Sequence, residues 1–258
     1  MSQRLIPYGN ANFEEIASKN YYFVDKTKYI AELEKYKCPV FLRPRRFGKS
    51  VFTEMLRWYY DIKAKDRFDE LFGKFYIGKN PTPDHNSYLF MSFDFSGMGT
   101  WCDGDKNFVK KQFDANVLTK LDYFLRYYRD ILEIDNRFIS DFNKSFYDNA
   151  TDGLKKVLSL ASSKSIKTFV VIDEYDSLTN ALAVYYRYAS EEENEYLNVL
   201  KKGGFFRSFF EALKEGLKLT LEKVYITGIL PITIADMNSE FNVAQWITFK
   251  PELVNMLG

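Results

Sequence analysis

Short, almost uninterrupted apolar runs alternate along this chain with longer segments in which apolar residues recur every three or four positions. The apolar runs are rich in β-branched and aromatic residues, as is typical of strands buried on both faces of a parallel sheet. They predict four strands and a weaker fifth, at Cys38–Leu42, Tyr88–Phe95, Thr168–Ile172, Lys223–Ile229 and Val243–Phe249. The other segments predict helices at Phe13–Ser18, Lys26–Lys35 (with Asp25 as its N-cap), Ser50–Asp61, Asn107–Ile134, Leu154–Ala161 and Tyr196–Leu219.

This alternation of strands and helices predicts an α/β fold with a mainly parallel central sheet, a helical layer on each side and long helical insertions. A chain of 258 residues is long enough to bury a sizeable core. No repeat and no linker rich in Pro, Gly or Ser interrupts it, so we expect one continuous domain over residues 1–258.

Composition narrows the classes of function. The chain carries 36 Lys and Arg against 35 Asp and Glu, a net charge of +1, which argues against a dedicated nucleic-acid binder. Its two cysteines, Cys38 and Cys102, form no C-x-x-C pair, which favours a reducing, cytoplasmic setting. We find no pattern of a secretory signal or a membrane span, and therefore expect no contact with membranes.

The most informative motif is FLRPRRFGKSVFTEML, residues 41–56, in which a predicted strand leads through a loop into a predicted helix. Gly48, Lys49 and Ser50 match the second half of the phosphate-binding pattern G-x-x-x-x-G-K-[ST], while Arg43 occupies the place of its first glycine. Lys49 would reach the β- and γ-phosphates of a nucleotide, and the Ser50 hydroxyl would bind Mg²⁺. The alternative is a chance GKS at a helix start.

Arg45 and Arg46 stand just before the second glycine of this motif. They would either contact the γ-phosphate, with Arg46 as a catalytic residue, or line the mouth of the site and pair with carboxylates such as Glu54 or the run Glu191–Glu193. Two adjacent guanidinium groups favour an anion between them.

A second motif, TFVVIDEYDSL, brings Asp173 and Glu174 to the end of a predicted buried strand, where open α/β sheets build their sites. Asp173 would hold Mg²⁺ and Glu174 would orient the attacking water. Alternatively, both acids begin a helix and complement its dipole. Thr227, near the end of the fourth strand, would lie at the same sheet edge and contact the water or the γ-phosphate.

Six segments, in this order, resemble a bacterial family of AAA-ATPase-like proteins: IPYGNANFEEI, YYFVDKTKYI, FLRPRRFGKS, FMSFDFS, VVIDEYD and YITGILPI. The resemblance implies an ASCE-type P-loop fold, with an extra strand between those that carry the Walker A and Walker B motifs. It also implies Mg²⁺ and ATP as ligands and a C-terminal effector, often helical or nuclease-like, beyond residue 258. By position, Arg45, Arg46, Gly48, Lys49 and Ser50 match a modified Walker A, Asp173 and Glu174 match Walker B, and Thr227 matches sensor 1.

Together, motif and resemblance give the expected nucleotide-binding set: Arg43, Pro44, Arg45, Arg46, Phe47, Gly48, Lys49, Ser50, Val51 and Tyr8. The N-terminal segment 1–37 is expected to be helical and to pack near the nucleotide. Pro7, Tyr8 and Phe13 would contact the adenine, or else pack on the sheet edge.

Three functions stay open at this point. The chain is an ATPase with Glu174 and Thr227 in catalytic roles, or a nucleotide-dependent switch with little turnover, or a nucleic-acid-binding protein that uses the basic loop 43–46. Glu174 favours the first. The chain has no arginine after Arg207 that would serve as a sensor-2 residue, which favours the second.

Overall fold

A parallel β-sheet forms the centre of the protein. The computed structural model describes residues 5–19, 21–98, 108–180, 203–231 and 241–257. Its strands are β1 (Pro39–Leu42), β2 (Leu89–Asp94), β3 (Thr168–Asp173), β4 (Leu221–Gly228) and β5 (Gln245–Trp246). They are ordered β2-β3-β4-β1-β5, and every neighbouring pair is parallel. All five strand predictions and the α/β class are confirmed.

The order of the strands places β4 between β1 and β3. β1 is the strand that precedes the predicted phosphate loop, and β3 is the strand that ends in the predicted acidic pair. The extra strand that the family resemblance implies is therefore present, and the carboxyl ends of all three strands lie at one edge of the sheet.

Helices cover both faces of the sheet. One face carries α1 (Phe13–Ser18), α2 (Lys28–Leu33), α3 (Lys49–Tyr60), a 3-10 helix (Ile62–Arg67), α4 (Phe68–Phe72) and α5 (Tyr76–Lys79). The other carries α6 (Phe108–Tyr127), α7 (Asn136–Ser145), α8 (Ala150–Ser163) and α9 (Phe205–Gly216). In the part of the chain described, no helix has both the length and the apolarity that crossing a membrane requires.

Alternating side chains of β3 show why the apolar runs are uninterrupted. Phe169 and Val171 belong to the apolar cluster under α1–α5, whereas Val170 and Ile172 belong to the cluster under α6–α9. Both faces of the strand are buried, so every position from Phe169 to Ile172 is apolar and the run stops at Asp173. The predicted three-layer arrangement is confirmed.

Two helix predictions are wrong in their extent. The predicted helix Asn107–Ile134, whose first residue lies outside the described residues, ends at Tyr127. Residues 128–133 form turns, Glu133 adopts a positive φ of 55°, and Asp135 starts α7 by accepting a hydrogen bond from the Phe138 amide. In the predicted helix Tyr196–Leu219, Gly203 has a φ of 83° and the extended Gly204 is the N-cap of α9. Residues 196–202 of that prediction lie outside the described residues.

Asp25 does not occupy the N-cap position of α2, which belongs to Thr27. One Asp25 oxygen accepts hydrogen bonds from the Thr27 amide and hydroxyl, and the other accepts one from the Tyr76 amide. Asp25 therefore ties the turn before α2 to the start of α5.

Candidate functional site

The candidate site lies where β1, β3 and β4 end. Leu42, the last residue of β1, pairs with Gly228 of β4, and the Arg43 amide continues this ladder by donating to the Gly228 carbonyl at 3.1 Å. Residues 43–48 then form a loop that leads into α3. Since Ile172 of β3 pairs with Ile226 of β4, the acidic pair lies at the same edge as this loop.

The loop owes its shape to two residues with positive φ, Arg46 at 68° and Gly48 at 83°. Gly48 immediately precedes α3, and this left-handed conformation is one that glycine adopts without steric cost. The amide groups at the start of the twelve-residue helix α3 face the loop and carry the positive end of its dipole. The predicted strand–loop–helix is therefore present, with a geometry that suits a phosphate.

The two motifs, 123 residues apart in sequence, meet at this edge. The Ser50 hydroxyl donates a hydrogen bond to Asp173 Oδ2 at 2.9 Å. The Lys49 ammonium lies 3.4 Å from Glu174 Oε1 and donates to the carbonyls of Arg43 (3.1 Å) and Pro44 (3.2 Å). Lys49 is only 4% exposed, so its charge is held inside the loop.

Glu174 adopts a positive φ of 52°, which is uncommon for a residue other than glycine. Strain of this kind persists where the surrounding structure enforces it, and it is frequent at functional sites. The helical residues begin only at 177, and the carboxylates of Asp173 and Glu174 contact Ser50 and Lys49. Their arrangement thus differs from that of acids which merely begin a helix.

Burial is the largest influence on the pKa of the Asp173 carboxyl. It raises the pKa of this carboxyl from 3.8 to about 6, with a further increase from the negative charges of Asp94 and Glu174, while the Ser50 hydrogen bond lowers it. The folded protein therefore binds a proton on Asp173 more tightly than the unfolded chain does. Above pH 6 the ionised carboxylate is a cost to the free protein, and this cost disappears as the pH falls towards 4.

We expect Asp173→Asn to stabilise the protein in the absence of nucleotide and metal. The amide keeps an oxygen for the Glu174 N–H, its NH2 can donate to the Ser50 oxygen, and the buried charge is removed. The free energy of unfolding should therefore rise by about 1–2 kcal/mol at pH 7.5. Urea denaturation in EDTA at pH 7.5 and at pH 4.5 measures this difference, which should shrink at the lower pH. The exposed Asp66→Asn is the control, and an Asp173→Asn protein less stable than wild type at pH 7.5 would contradict the expectation.

Arg43 turns away from the loop mouth. Its guanidinium donates to the carbonyls of Leu42, Thr248 and Val254, at 3.0, 3.2 and 2.6 Å, and lies over the Phe41 ring. Its contribution to the loop is the backbone carbonyl that accepts from Lys49. The Arg43 side chain therefore anchors the C-terminal segment beside β1.

Arg45, Arg46 and Phe47 are exposed and line a cavity beside the loop. Neither arginine forms an ion pair with any residue that the structure describes. Glu54, one of the partners considered for them, pairs with Arg57 at 3.3 Å, and the Glu191–Glu193 run lies outside the described residues.

Thr227 is fully buried in β4, one position after the residue that pairs with Ile172. Its hydroxyl donates to the Phe41 carbonyl at 2.8 Å, and its carbonyl accepts from the Tyr175 amide at 3.2 Å. Thr227 thus lies beside Asp173, and in the free protein it ties β4 to β1.

The cavity beside the loop has a volume of about 860 Å³, which is within the usual range of ligand sites. One end is formed by Arg45–Val51 and Glu174. The rest of the wall comes mainly from residues 6–11, residues 22–24, Lys26, Met256 and Leu257, and Ile16, Phe52 and Met55 complete it. Pro7 and Tyr8 belong to this wall, whereas Phe13 is fully buried and packs on Phe72.

Sequence reasoning gave no role to Tyr175 and Asp176, which follow the acidic pair. The buried Asp176 carboxylate accepts hydrogen bonds from the Ile229 and Leu230 amides, at 3.1 and 2.8 Å, and the Tyr175 hydroxyl donates to the Leu230 carbonyl. A Cβ at Gly228 would lie 2.3 Å from Asp176 Oδ1, so this approach requires glycine. The third acid of VVIDEYD, Asp176, was the signal available in the sequence.

The chemistry of the donors suits Mg²⁺, which prefers oxygen ligands and keeps several waters. A hydroxyl and a carboxylate oxygen already lie within 2.9 Å of each other, at Ser50 and Asp173. In the described ranges, no group of three or more His, Cys, Asp or Glu side chains is placed to hold a metal ion. Magnesium here would thus share its coordination with phosphate and water.

Comparison with known proteins gives one match. A family model described as "Predicted AAA-ATPase" matches residues 7–238, which include the loop, the acidic pair and Thr227. No curated protein and no solved structure matches the chain.

Proposed function

The chain belongs to the AAA-ATPase-like family, and on that premise we propose that it binds Mg²⁺ and ATP where β1 and β3 end, and hydrolyses the ATP to drive or regulate an effector. One observation carries the proposal: the Ser50–Asp173 hydrogen bond of 2.9 Å and the Lys49–Glu174 ion pair of 3.4 Å join the two motifs at one sheet edge. The family membership by itself supports nucleotide binding, and ATP hydrolysis and the effector belong to the proposal.

In this proposal the phosphates bind along the loop and the start of α3. Gly48 leaves the backbone amides open to the β-phosphate, and nothing lies within 4 Å of the place where its Cβ would be. Lys49 leaves Glu174 and the two loop carbonyls and contacts the β- and γ-phosphates instead, as a charge-assisted donor. Ser50 and Asp173 hold the magnesium ion, which neutralises phosphate charge when bound.

Glu174 is the residue that would position the attacking water. Once Lys49 moves to the phosphates, the Glu174 carboxylate has lost its ion pair and can accept a hydrogen bond from water. The water oxygen attacks the γ-phosphorus, ADP leaves, and the proton of the water passes to the carboxylate or to the phosphate released. A contact of Thr227 with the γ-phosphate requires its hydroxyl to leave the Phe41 carbonyl, because the hydroxyl has a single proton to donate.

In this proposal at least one of Arg45 and Arg46 contacts the γ-phosphate and acts as an arginine finger supplied within the loop. Both arginines line the cavity, and neither is paired with a described residue. We expect at least one of the single variants Arg45→Ala and Arg46→Ala to lower the affinity for ATP by about tenfold or more, because a hydrogen bond to a charged group is lost. ADP affinity should change little. Calorimetric titrations with both nucleotides measure this ratio.

The control for these variants is Arg137→Ala, which removes an exposed arginine on α7, a helix on the opposite face of the sheet. If both loop variants keep the wild-type ratio of ATP to ADP affinity, neither guanidinium contacts the γ-phosphate. The arginines would then be surface groups at the mouth of the site.

A nucleotide-dependent switch is the second candidate, and the free-state contacts of Lys49 favour it. Three groups hold its ammonium before any nucleotide binds, so ATP must break a set of existing interactions to engage it. A switch would bind ATP and release phosphate at a negligible rate, whereas an ATPase would turn over. Steady-state phosphate release, measured with and without DNA, separates the two.

A further inference from the structure

One tyrosine hydroxyl in the core beneath the candidate site has no hydrogen-bond partner. Tyr225, in β4, is fully buried, and no described residue bonds its hydroxyl. Buried polar groups are nearly always paired, because an unpaired one destabilises the folded protein. An unpaired hydroxyl therefore calls for an explanation, and a partner that it gains in a second state of the protein is one.

Its position distinguishes this hydroxyl from the others that are buried without a partner in the described ranges. Those belong to Thr168, at the start of β3, and to Thr220, just before β4. The candidate site lies at the opposite edge of the sheet, where the strands end. Tyr225 is three residues from the end of β4 and two residues before Thr227. Of the three hydroxyls, only that of Tyr225 is near the site.

Strand geometry puts Tyr225 and Thr227 on the same face of the sheet. Successive side chains of a strand point to opposite faces. Val224 and Ile226 belong to the apolar cluster under α6–α9, whereas Tyr225 belongs to the cluster under α1–α5. The Tyr225 ring packs against Phe52 in α3, with the ring centroids 5.9 Å apart. The phenol therefore lies between β4 and the start of α3, on the side of the sheet that Thr227 faces.

The groups that influence the phenol are those of the candidate site. Burial raises the pKa of Tyr225, and the negative charge of Asp173 raises it further, whereas the Thr227 hydroxyl and the Arg43 guanidinium lower it. Thr227 has a single proton to donate, and it donates this proton to the Phe41 carbonyl at 2.8 Å. The Thr227 oxygen keeps lone pairs with which it can accept a hydrogen bond.

We propose that Tyr225 is a positioning residue that acts through Thr227 when ATP is bound. The inference rests on the proposed function and on a γ-phosphate contact of Thr227, for which the threonine hydroxyl leaves the Phe41 carbonyl. Tyr225 then donates to the Thr227 oxygen, so that its hydroxyl gains a partner and the threonine is held towards the phosphate. The Thr227 hydroxyl also becomes a stronger donor, because consecutive hydrogen bonds polarise one another.

Tyr225→Phe removes only the hydroxyl oxygen and tests the inference with two measurements. In calorimetric titrations with Mg²⁺, the affinity for a non-hydrolysable ATP analogue should fall by about three- to tenfold, as expected for one hydrogen bond. The affinity for ADP should change by less than about twofold, since ADP has no γ-phosphate. The midpoint of urea denaturation without nucleotide should stay the same or rise, because the free protein loses a polar group that no described residue bonds.

Tyr60→Phe is the matched control. Tyr60 is also buried in the apolar cluster under α1–α5, but it is the last residue of α3, at the end away from the loop. Its hydroxyl donates to Glu34 at 2.9 Å. This variant should lower the urea midpoint and leave the ratio of analogue to ADP affinity unchanged. A merely structural hydroxyl at Tyr225 would give the same result as this control.

A double-mutant cycle with Thr227→Val shows whether the two hydroxyls act together. The double variant should discriminate between the analogue and ADP as Thr227→Val alone does, because Tyr225 then has no threonine hydroxyl to hold. Effects that simply add would overturn the inference. An unchanged affinity ratio or a lower urea midpoint in Tyr225→Phe would overturn it too, and these two results remain decisive if Thr227→Val does not fold.

The wild-type titrations separate this inference from the proposed function. A wild type that binds the analogue and ADP equally well would exclude the γ-phosphate contact of Thr227, and with it the inference, while nucleotide binding would stand. Failure of the wild type to bind either nucleotide would instead overturn the proposed function.

Discussion

Lys49→Ala is expected to lower the affinity for ATP by about 100-fold or more, because it removes the charged donor that would bridge the β- and γ-phosphates. Lys49 is the first residue of α3, with its ammonium 3.4 Å from Glu174 at the centre of the candidate site. Calorimetric titration of ATP with Mg²⁺ measures the loss.

The control for this variant is Lys19→Ala, which removes an exposed lysine that pairs with Glu15 on α1. A urea denaturation curve shows whether the Lys49 variant is folded, a necessary check because Lys49 is buried. A folded Lys49→Ala protein that binds ATP as well as the wild type does would contradict the assignment of the phosphate loop.

Glu174→Gln is expected to cut the rate of phosphate release by about 100-fold or more, because the amide cannot polarise and accept a proton from the attacking water. ATP affinity should be kept or rise, since the amide no longer holds Lys49 in an ion pair in the free protein. Turnover and ATP titration on the same preparation measure the two effects separately.

Glu54→Gln is the matched control, because Glu54 lies on α3 near the loop and pairs with Arg57 at the surface. Phosphate release at the wild-type rate in Glu174→Gln would assign Glu174 a structural role. If the wild type binds ATP but releases no phosphate, the switch becomes the better account of the protein.

The strands were predictable from sequence because burial on both faces leaves an unmistakable run of apolar residues. β3 shows this most clearly, where consecutive residues alternate between the two apolar clusters and the run stops at Asp173. The ten-residue helix α7 was not predicted, and neither were the short helices α4 and α5 and the 3-10 helix. Their aromatic residues, such as Phe68 and Phe72, form part of the core over α3.

The polar half of the site was predictable because phosphate and magnesium chemistry demands particular residues at particular strand ends. Gly48, Lys49, Ser50, Asp173 and Glu174 meet as their positions imply. The direction of the Arg43 side chain was not predictable. It depends on the carbonyls of Thr248 and Val254, which lie more than 200 residues further along the chain.

The apolar half of the site was hidden for a different reason. Met256 and Leu257 carry no motif, and the family segment that contains Tyr22 and Val24 assigns them no role. An apolar residue in an irregular segment looks the same whether it lines a cavity or packs in a core. Phe13 illustrates the converse, since the sequence offered it for the nucleotide and the fold places it in the core against Phe72.

The most direct test of the proposed site is a crystal structure of the protein with Mg²⁺ and a non-hydrolysable ATP analogue. We predict that the Lys49 ammonium leaves Glu174 and contacts the β- and γ-phosphates, that Ser50 and Asp173 are the residues that hold the metal ion, and that the base lies near Tyr8. An analogue bound away from residues 45–50, with the Lys49–Glu174 ion pair still in place, would contradict the account.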